Sequence, residues 1–167
     1  MADLLAALAD VLPPESVLTD PDLLHGHRHD EADLCDSGTP AVVVRPRTTG
    51  QVSDVLRIAS ALRVPVVPQG ARTGLAGAAN AVDGAIVLST AAMTSILEID
   101  PVNRTAVVQP GVVNAVLAAE VARAGLRYPP DPGSWQTSTI GGNVATTAGG
   151  MCCVKYGVTT EYVLGLE

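Results

Sequence analysis

Residues 41–67 constrain the fold more than any other stretch. Ala41-Val-Val-Val44 is a short β-branched run, stopped by Arg45-Pro46. Thr48 followed three residues later by Gln51 matches a capping box, so a helix begins there. Val52, Val55, Leu56, Ala59 and Leu62 recur at helical spacing, and Val64-Pro-Val-Val67 supplies a second extended run. Parallel strands can be joined only through a crossover, and strand, helix, strand within about thirty residues is such a unit. The segment therefore predicts a parallel βαβ unit.

The same periodicities place the other elements. Leu4, Leu5, Leu8, Val11 and Leu12 predict a short amphipathic helix over 4–12, with Asp3 as its N-cap and Pro13-Pro14 as its stop. Residues 20–40 show no period and read as a loop-rich passage. Ala85-Ile-Val-Leu88 is a further strand. Ile96-Leu-Glu-Ile99 and Thr105-Ala-Val-Val-Gln109 flank Asp100-Pro-Val-Asn103, a pattern that predicts an antiparallel hairpin. Val113, Val116, Leu117, Val121 and Ala124 form a helical stripe with Gly125 just past its end. Tyr162-Val-Leu-Gly-Leu166 is the last strand expected.

Composition sets the class of partner. The 167 residues are 47% apolar, enough for a core without disulfides or metal. That core is aliphatic: Phe is absent, and Tyr128, Trp135, Tyr156 and Tyr162 are the only aromatic side chains. A formal charge of −7 lacks the basic footprint that a phosphate backbone requires, so nucleic acid is not an expected partner. No stretch approaches the roughly eighteen apolar residues of a membrane span, and the N-terminus has no basic region of an export signal. With three cysteines, two of them adjacent at Cys152 and Cys153, free thiols in a reducing cytoplasm are expected.

Eleven of the sixteen glycines lie in residues 70–84 and 133–165, which raises the question of what approaches the backbone there. Pro68-Gln-Gly-Ala-Arg-Thr-Gly-Leu-Ala-Gly77 follows a strand and can curl its N–H groups round an anion. It is neither a Walker A loop nor a Rossmann turn, and an ordinary surface loop is the competing reading. The second loop, from Asp131 to Gly150, carries no charged side chain between Pro132 and Val154. A phosphate held here needs backbone N–H groups and neutral donors such as Ser134, Thr139 and Asn143, with counter-charge from Arg72 or Lys155. Two Gly-Gly pairs, at 141–142 and 149–150, let a flat group lie on bare backbone; small-residue packing is the alternative.

The run Gly141-Gly-Asn-Val-Ala-Thr-Thr-Ala-Gly-Gly150, then Cys153-Val-Lys-Tyr-Gly-Val158 and Val163-Leu-Gly-Leu-Glu167, resembles a known flavin module. It is similar to the FAD-binding (PCMH-type) domain of the glycolate oxidase, D-lactate dehydrogenase and D-2-hydroxyglutarate dehydrogenase group, within the vanillyl-alcohol oxidase superfamily. The likeness extends back through Gln109-Pro-Gly111, the loop at 68–77 and Val44-Arg-Pro-Arg-Thr-Thr49. It implies an α+β fold of two small lobes, a parallel βαβ lobe and one with antiparallel strands, with FAD extended between them. It also implies an N-terminal helix and loop extension at 1–39, then an FAD-binding domain at 40–167 that is cut short in its second lobe. On that resemblance Gln69, Gly70, Ala71, Arg72, Thr73, Gly74 and Gly77 wrap the pyrophosphate. Pro132, Ser134, Thr139, Gly141, Gly142, Asn143 and Ala145 line the ribityl chain and flavin, and Gly149, Gly150 and Gly157 complete the wall.

The resemblance further implies a cytoplasmic flavin-dependent oxidoreductase that passes a hydride from a 2-hydroxy acid to FAD. No histidine lies in either glycine loop, so non-covalent FAD is expected, with Cys152 and Cys153 the remaining points of attachment. Members of the group are much longer, so catalytic residues and the contacts to substrate and electron acceptor are expected beyond Glu167, and these residues alone are expected to be inactive and to hold FAD poorly. An unpaired strand at 162–166 would invite association with a second copy, a homo-oligomer. Competing readings are a sugar oxidase, a cell-wall precursor reductase, or a flavin-binding subunit without turnover. His25, His27 and His29 alternate as a metal site might require, but beside Arg28 and Asp30 they read as solvated or paired histidines, and no metal is expected.

Overall fold

A computed structural model describes residues 2–167, which divide into two compact units meeting at Ala92 and Met93. In the first, α1 (Ala2–Ala9), β1 (Val17–Leu18), α2 (Pro21–Gly26), β2 (Val42–Val44), α3 (Thr49–Leu62), β3 (Val66–Gln69) and β4 (Ile86–Ser89) follow in order. The sheet runs β1-β2-β4-β3, with β1 antiparallel to β2 and the other neighbours parallel. The expected strand, helix and strand are present as β2, α3 and β3, but β4 sits between the two strands. The crossover therefore skips one position.

The parallel strands are buried on both faces, which is why they read as unbroken aliphatic runs. Alternation sorts their side chains. Val42, Val44, Ile86 and Leu88 pack with Leu4, Leu8 and Leu12 and with Val55 and Ala59 of α3. Val43, Val67 and Val87 pack on the opposite side with Ala81 and Ala85. Residues 2–39 are thus built into the first unit, α1 filling its core and β1 extending its sheet. Asp3 is not an N-cap, because the helix already includes Ala2; its carboxylate lies in the first turn, where the helix dipole favours it.

Helix α3 starts where Thr48 Oγ1 accepts the Gln51 N–H at 3.2 Å, while Gln51 Oε1 accepts from the Arg47 N–H at 2.7 Å. It ends at Arg63, left-handed at φ 55°, with Val64 N–H returning to Ala59 O at 2.9 Å. Helix α2 interrupts the passage expected to be loop. Asp20 caps it by accepting the N–H groups of Asp22 and Leu23 at 2.9 and 3.2 Å, and Pro21 stands at its start.

The second unit contains β5 (Ile96–Asp100), β6 (Thr105–Val108), α4 (Asn114–Arg123), α5 (Ile140–Ala145) and α6 (Cys153–Tyr156). The hairpin reverses where Asp100 Oδ1 accepts the N–H groups of Val102 and Asn103, at 2.8 and 3.0 Å. These bonds to the charged form hold the exposed Asp100 carboxyl below the usual carboxylate range. After α4, Gly125 is left-handed at φ 74°; its N–H bonds Ala122 O and that of Leu126 bonds Val121 O, both at 3.0 Å. That pair is a Schellman stop, and it folds Leu126 onto the core of Val112, Leu117 and Val121. The strand expected at 162–166 is not formed: Thr159–Tyr162 is a 3-10 turn, and the residues after it pair with no strand among the described residues. An aliphatic run specifies a strand only where a neighbour takes its hydrogen bonds.

Candidate functional site

In the first unit the three parallel strands release the chain at one end of the sheet. Arg45 directly follows β2, Gly70 directly follows β3, and Ser89 closes β4, paired in register with Gln69. Ligands of open α/β sheets bind at the carboxyl ends of such strands. A cavity of about 300 Å³ opens there, lined by His27, Arg45, Gly70, Ala71, Arg72, Ser89 and Ala91. Two arginines, a hydroxyl and bare backbone in the lining suit it to an anion with several oxygens and make it the candidate site of this unit.

Of the residues expected at the first loop, Gly70, Ala71 and Arg72 line this cavity. The Gln69 side chain, 1% exposed, is engaged elsewhere. Its Nε2 donates to His27 O at 2.8 Å and Ala79 O at 2.7 Å, and its Oε1 faces His27 Nδ1 at 2.8 Å. Gln69 thereby joins the start of the loop to its far end and to the segment after α2. Arg72, left-handed at φ 60°, donates from Nη1 to Gly26 O. Thr73 and Gly74 are half-buried, and Gly74 O accepts the Glu31 N–H at 2.9 Å. Gly77 packs with no room for a side chain against Cys35. The loop is held down further by Asp30, whose N–H donates to Asn80 Oδ1 at 2.8 Å, and by Asn80, whose Nδ2 donates to the carbonyls of Cys35 and Asp36.

Sequence reasoning missed His27, Arg45 and Ser89. The signal for Arg45 and Ser89 was present, since each stands at the end of an aliphatic run; His27 arrives only through Gln69. His29 Nε2 lies 3.3 Å from Ser37 Oγ, so two of the three alternating histidines have side-chain partners. Among the described residues no three His, Cys, Asp or Glu side chains are grouped to hold a metal ion.

The second unit carries a different arrangement. Ser138 Oγ, Thr139 Oγ1 and Asn143 Nδ2 are fully buried and have no hydrogen-bond partner among the described residues. A buried polar atom without a partner costs about 1–3 kcal/mol, so three within one turn and its approach make this the candidate place for a polar ligand or water. Thr139 stands at the N-cap of α5, yet its hydroxyl does not cap it. Ser138 was not singled out from sequence, although it lies inside the loop that was.

The remaining expected residues sort by what surrounds them. A Cβ on Gly142 meets only Thr139 Oγ1, at 3.3 Å, and one on Gly149 makes ordinary contacts. Gly141, Gly150 and Gly157 are required by the chain itself, because a Cβ there would strike Pro110, Asp131 and Glu161 respectively. Pro132 is buried, Ser134 is half-buried with its carbonyl accepting from Thr137 and Ser138, and Ala145 is exposed. Lys155 lies over the Tyr156 ring at 4.9 Å, and Arg127 lies over the same ring at 4.8 Å. The Asp131 carboxylate, hydrogen-bonded to Cys152 and repelling its thiolate, pushes that thiol up.

The first unit thus carries a pocket lined by two arginines, and the second a neutral, buried polar cluster. Residues 40–167 match the family model described as FAD binding domain, and the chain belongs to that family. Over 128 residues it is 48% identical to the glycolate oxidase subunit GlcD of Bacillus subtilis (strain 168), covering 77% of this chain and 27% of that one. It is 41% identical over 164 residues to the D-2-hydroxyglutarate dehydrogenase of Stutzerimonas stutzeri (strain A1501), covering 98% of this chain and 35% of that one. A solved structure of alkyldihydroxyacetonephosphate synthase shares the fold, with a TM-score of 0.88 at 23% identity over 96% of this chain and 32% of its own. The chain thus spans about a third or less of the length of the relatives it matches. No helix is long and apolar enough to cross a membrane among the described residues.

Proposed function

We propose that this chain is the FAD-holding part of an oxidoreductase acting on a 2-hydroxy acid of the glycolate, D-lactate or D-2-hydroxyglutarate class. The observation that carries the reading is the buried trio Ser138, Thr139 and Asn143, whose polar atoms lack partners within the protein. Bound FAD supplies the hydride acceptor. The residues of this chain bind and orient it: Arg45, Arg72 and the Gly70–Arg72 backbone take the diphosphate, and the trio takes polar atoms of the ribityl chain or flavin. No residue here is assigned to bond cleavage. Substrate and electron-acceptor contacts are assigned to other parts of the whole protein.

Attachment is non-covalent in this reading, since neither glycine loop contains histidine and Asp131 disfavours the thiolate of Cys152; Cys153 is the remaining point of attachment. FAD added to the chain should lose part of its flavin fluorescence on binding and return to the supernatant on acid precipitation. Gly142→Val should abolish retention while leaving the circular dichroism largely unchanged, because the only close neighbour of a Cβ there is the Thr139 hydroxyl, at 3.3 Å, which a shift of a few tenths of an ångström relieves. Normal FAD retention by that variant would remove Gly142 from the flavin site. The whole protein should reduce an artificial electron acceptor with one of these three acids, and failure with all of them would reject the substrate class.

A further inference from the structure

The pocket on the first unit has one lining group whose charge is not fixed. His27 belongs to the segment after α2, outside the family match at 40–167, and reaches the pocket because Gln69 binds it from 42 residues away. The Gln69 amide is oriented without ambiguity: its Nε2 donates to two carbonyls, so Oε1 must face His27 and His27 Nδ1 must carry a proton. Its Nε2 makes no hydrogen bond among the described residues. The ring is therefore a fixed donor at one nitrogen and an open base at the other.

We propose that His27 is a further residue of the diphosphate site, its Nε2 taking up a proton from solvent as the anion enters, keeping it, and donating a charge-assisted hydrogen bond to a phosphate oxygen. The proposal rests on the FAD reading and extends it to a residue outside the two glycine loops. The charges around the ring support it. Burial lowers the basicity of His27 most; the Gln69 hydrogen bond acts against this, and Arg72 and Arg45 lower it further. Ser89, from β4, carries no charge. On its own segment Arg28 is turned to Gly38 O and Ser37 O, and His29 to Ser37. A diphosphate reverses the sign of that field, so the ring gains basicity where the empty pocket suppressed it.

The sign of the pH dependence follows. His27 is neutral in the empty pocket near neutrality and protonated in the filled one. Affinity therefore rises as pH falls through the basicity of the filled site, and levels off once the empty site is protonated too. One proton gives at most about a tenfold change per pH unit.

The test uses the full chain with two probes, FAD and ADP-ribose. The diphosphate of each is esterified at both ends and does not itself titrate near neutrality. Histidine-ring 15N NMR should show the His27 Nε2 resonance moving to the protonated position when either probe is added near pH 7. Probe affinity should weaken as pH rises, and His27→Asn, which keeps a donor near the Nδ1 position and lacks Nε2, should bind with that dependence removed. If the amides of Gly70–Arg72 respond to a probe while the His27 ring stays neutral, the proposal is overturned and the FAD reading survives. Retention of the full pH dependence by His27→Asn overturns it equally. If neither probe moves any resonance, the FAD reading falls and the proposal falls with it. The wild-type spectra decide the matter even where the variant does not fold.

Discussion

In the first unit the polar side chains beneath the glycine loop are engaged with the protein: Gln69, Asp30 and Asn80 all hold backbone groups, and the pocket above them is lined by two arginines. In the second unit Ser138, Thr139 and Asn143 have buried polar atoms with no partner, and no charge stands between Pro132 and Val154. The difference separates two ways in which a protein can hold a ligand. A charged, half-open pocket attracts through the field of fixed cations and is sensitive to salt. A buried neutral cluster discriminates by hydrogen-bond geometry, and the protein carries the cost of leaving it unmatched until the ligand arrives.

The contrast can be broken or sharpened by substitution. The largest expected effect is on the scaffold of the charged pocket. Leu8→Ala removes a side chain that is fully buried against β2, α3 and β4, and should cost about 2–5 kcal/mol in urea denaturation. Faster hydrogen exchange at the β2 and β4 amides should accompany it. In the second unit the expected sign is opposite. Thr139→Val replaces an unpartnered buried hydroxyl with a methyl of similar size, so the ligand-free chain should gain about 1 kcal/mol or more while FAD binding weakens. Loss of both stability and binding would show that the hydroxyl is structural.

Arg72→Gln tests the charged side. It should weaken ADP-ribose binding about tenfold, an effect that shrinks as salt rises, whereas the loss caused by Thr139→Val should not depend on salt. Equal salt dependence in the two variants would erase the distinction drawn above. The smallest effect is expected away from both sites. Arg63→Gly relieves a left-handed backbone at the end of α3 and should stabilise the chain by less than about 1 kcal/mol, read as a small rise in the midpoint of thermal unfolding, without affecting the binding of either probe.

What sequence made legible was decided by the range of the interactions. The β2, α3 and β3 runs, the hairpin at Asp100 and the Gly125 stop are set by neighbours within a few residues, and each formed as expected. The insertion of β4 between β2 and β3 leaves no trace in any local pattern, because pairing order is a property of the sheet. Helix α2 had a start signal in Asp20-Pro21, outweighed by the glycine and histidines that follow; α5 had none, with two glycines in its six residues. At the sites, glycine clustering led to Gly70–Arg72, to Thr139 and to Asn143. It could not lead to Ser138, whose hydroxyl is singled out only by its burial without a partner in the fold, or to His27, which is brought in by a side chain far along the chain.

The bracing of the glycine loop also bears on how the molecule is made. The bonds from Gln69 to His27 and from Asp30 to Asn80 close chain segments of 42 and 50 residues, whereas β5 and β6 meet across a short turn. Closing a long segment costs entropy before any contact compensates for it, so distant pairings form slowly. By this rule the pocket is expected to assemble after α3 and the hairpin, an order that pulsed hydrogen exchange during refolding would check. On the proposed FAD reading, a dinucleotide that binds only the finished pocket favours that last step by mass action, so refolding yield should rise with added cofactor.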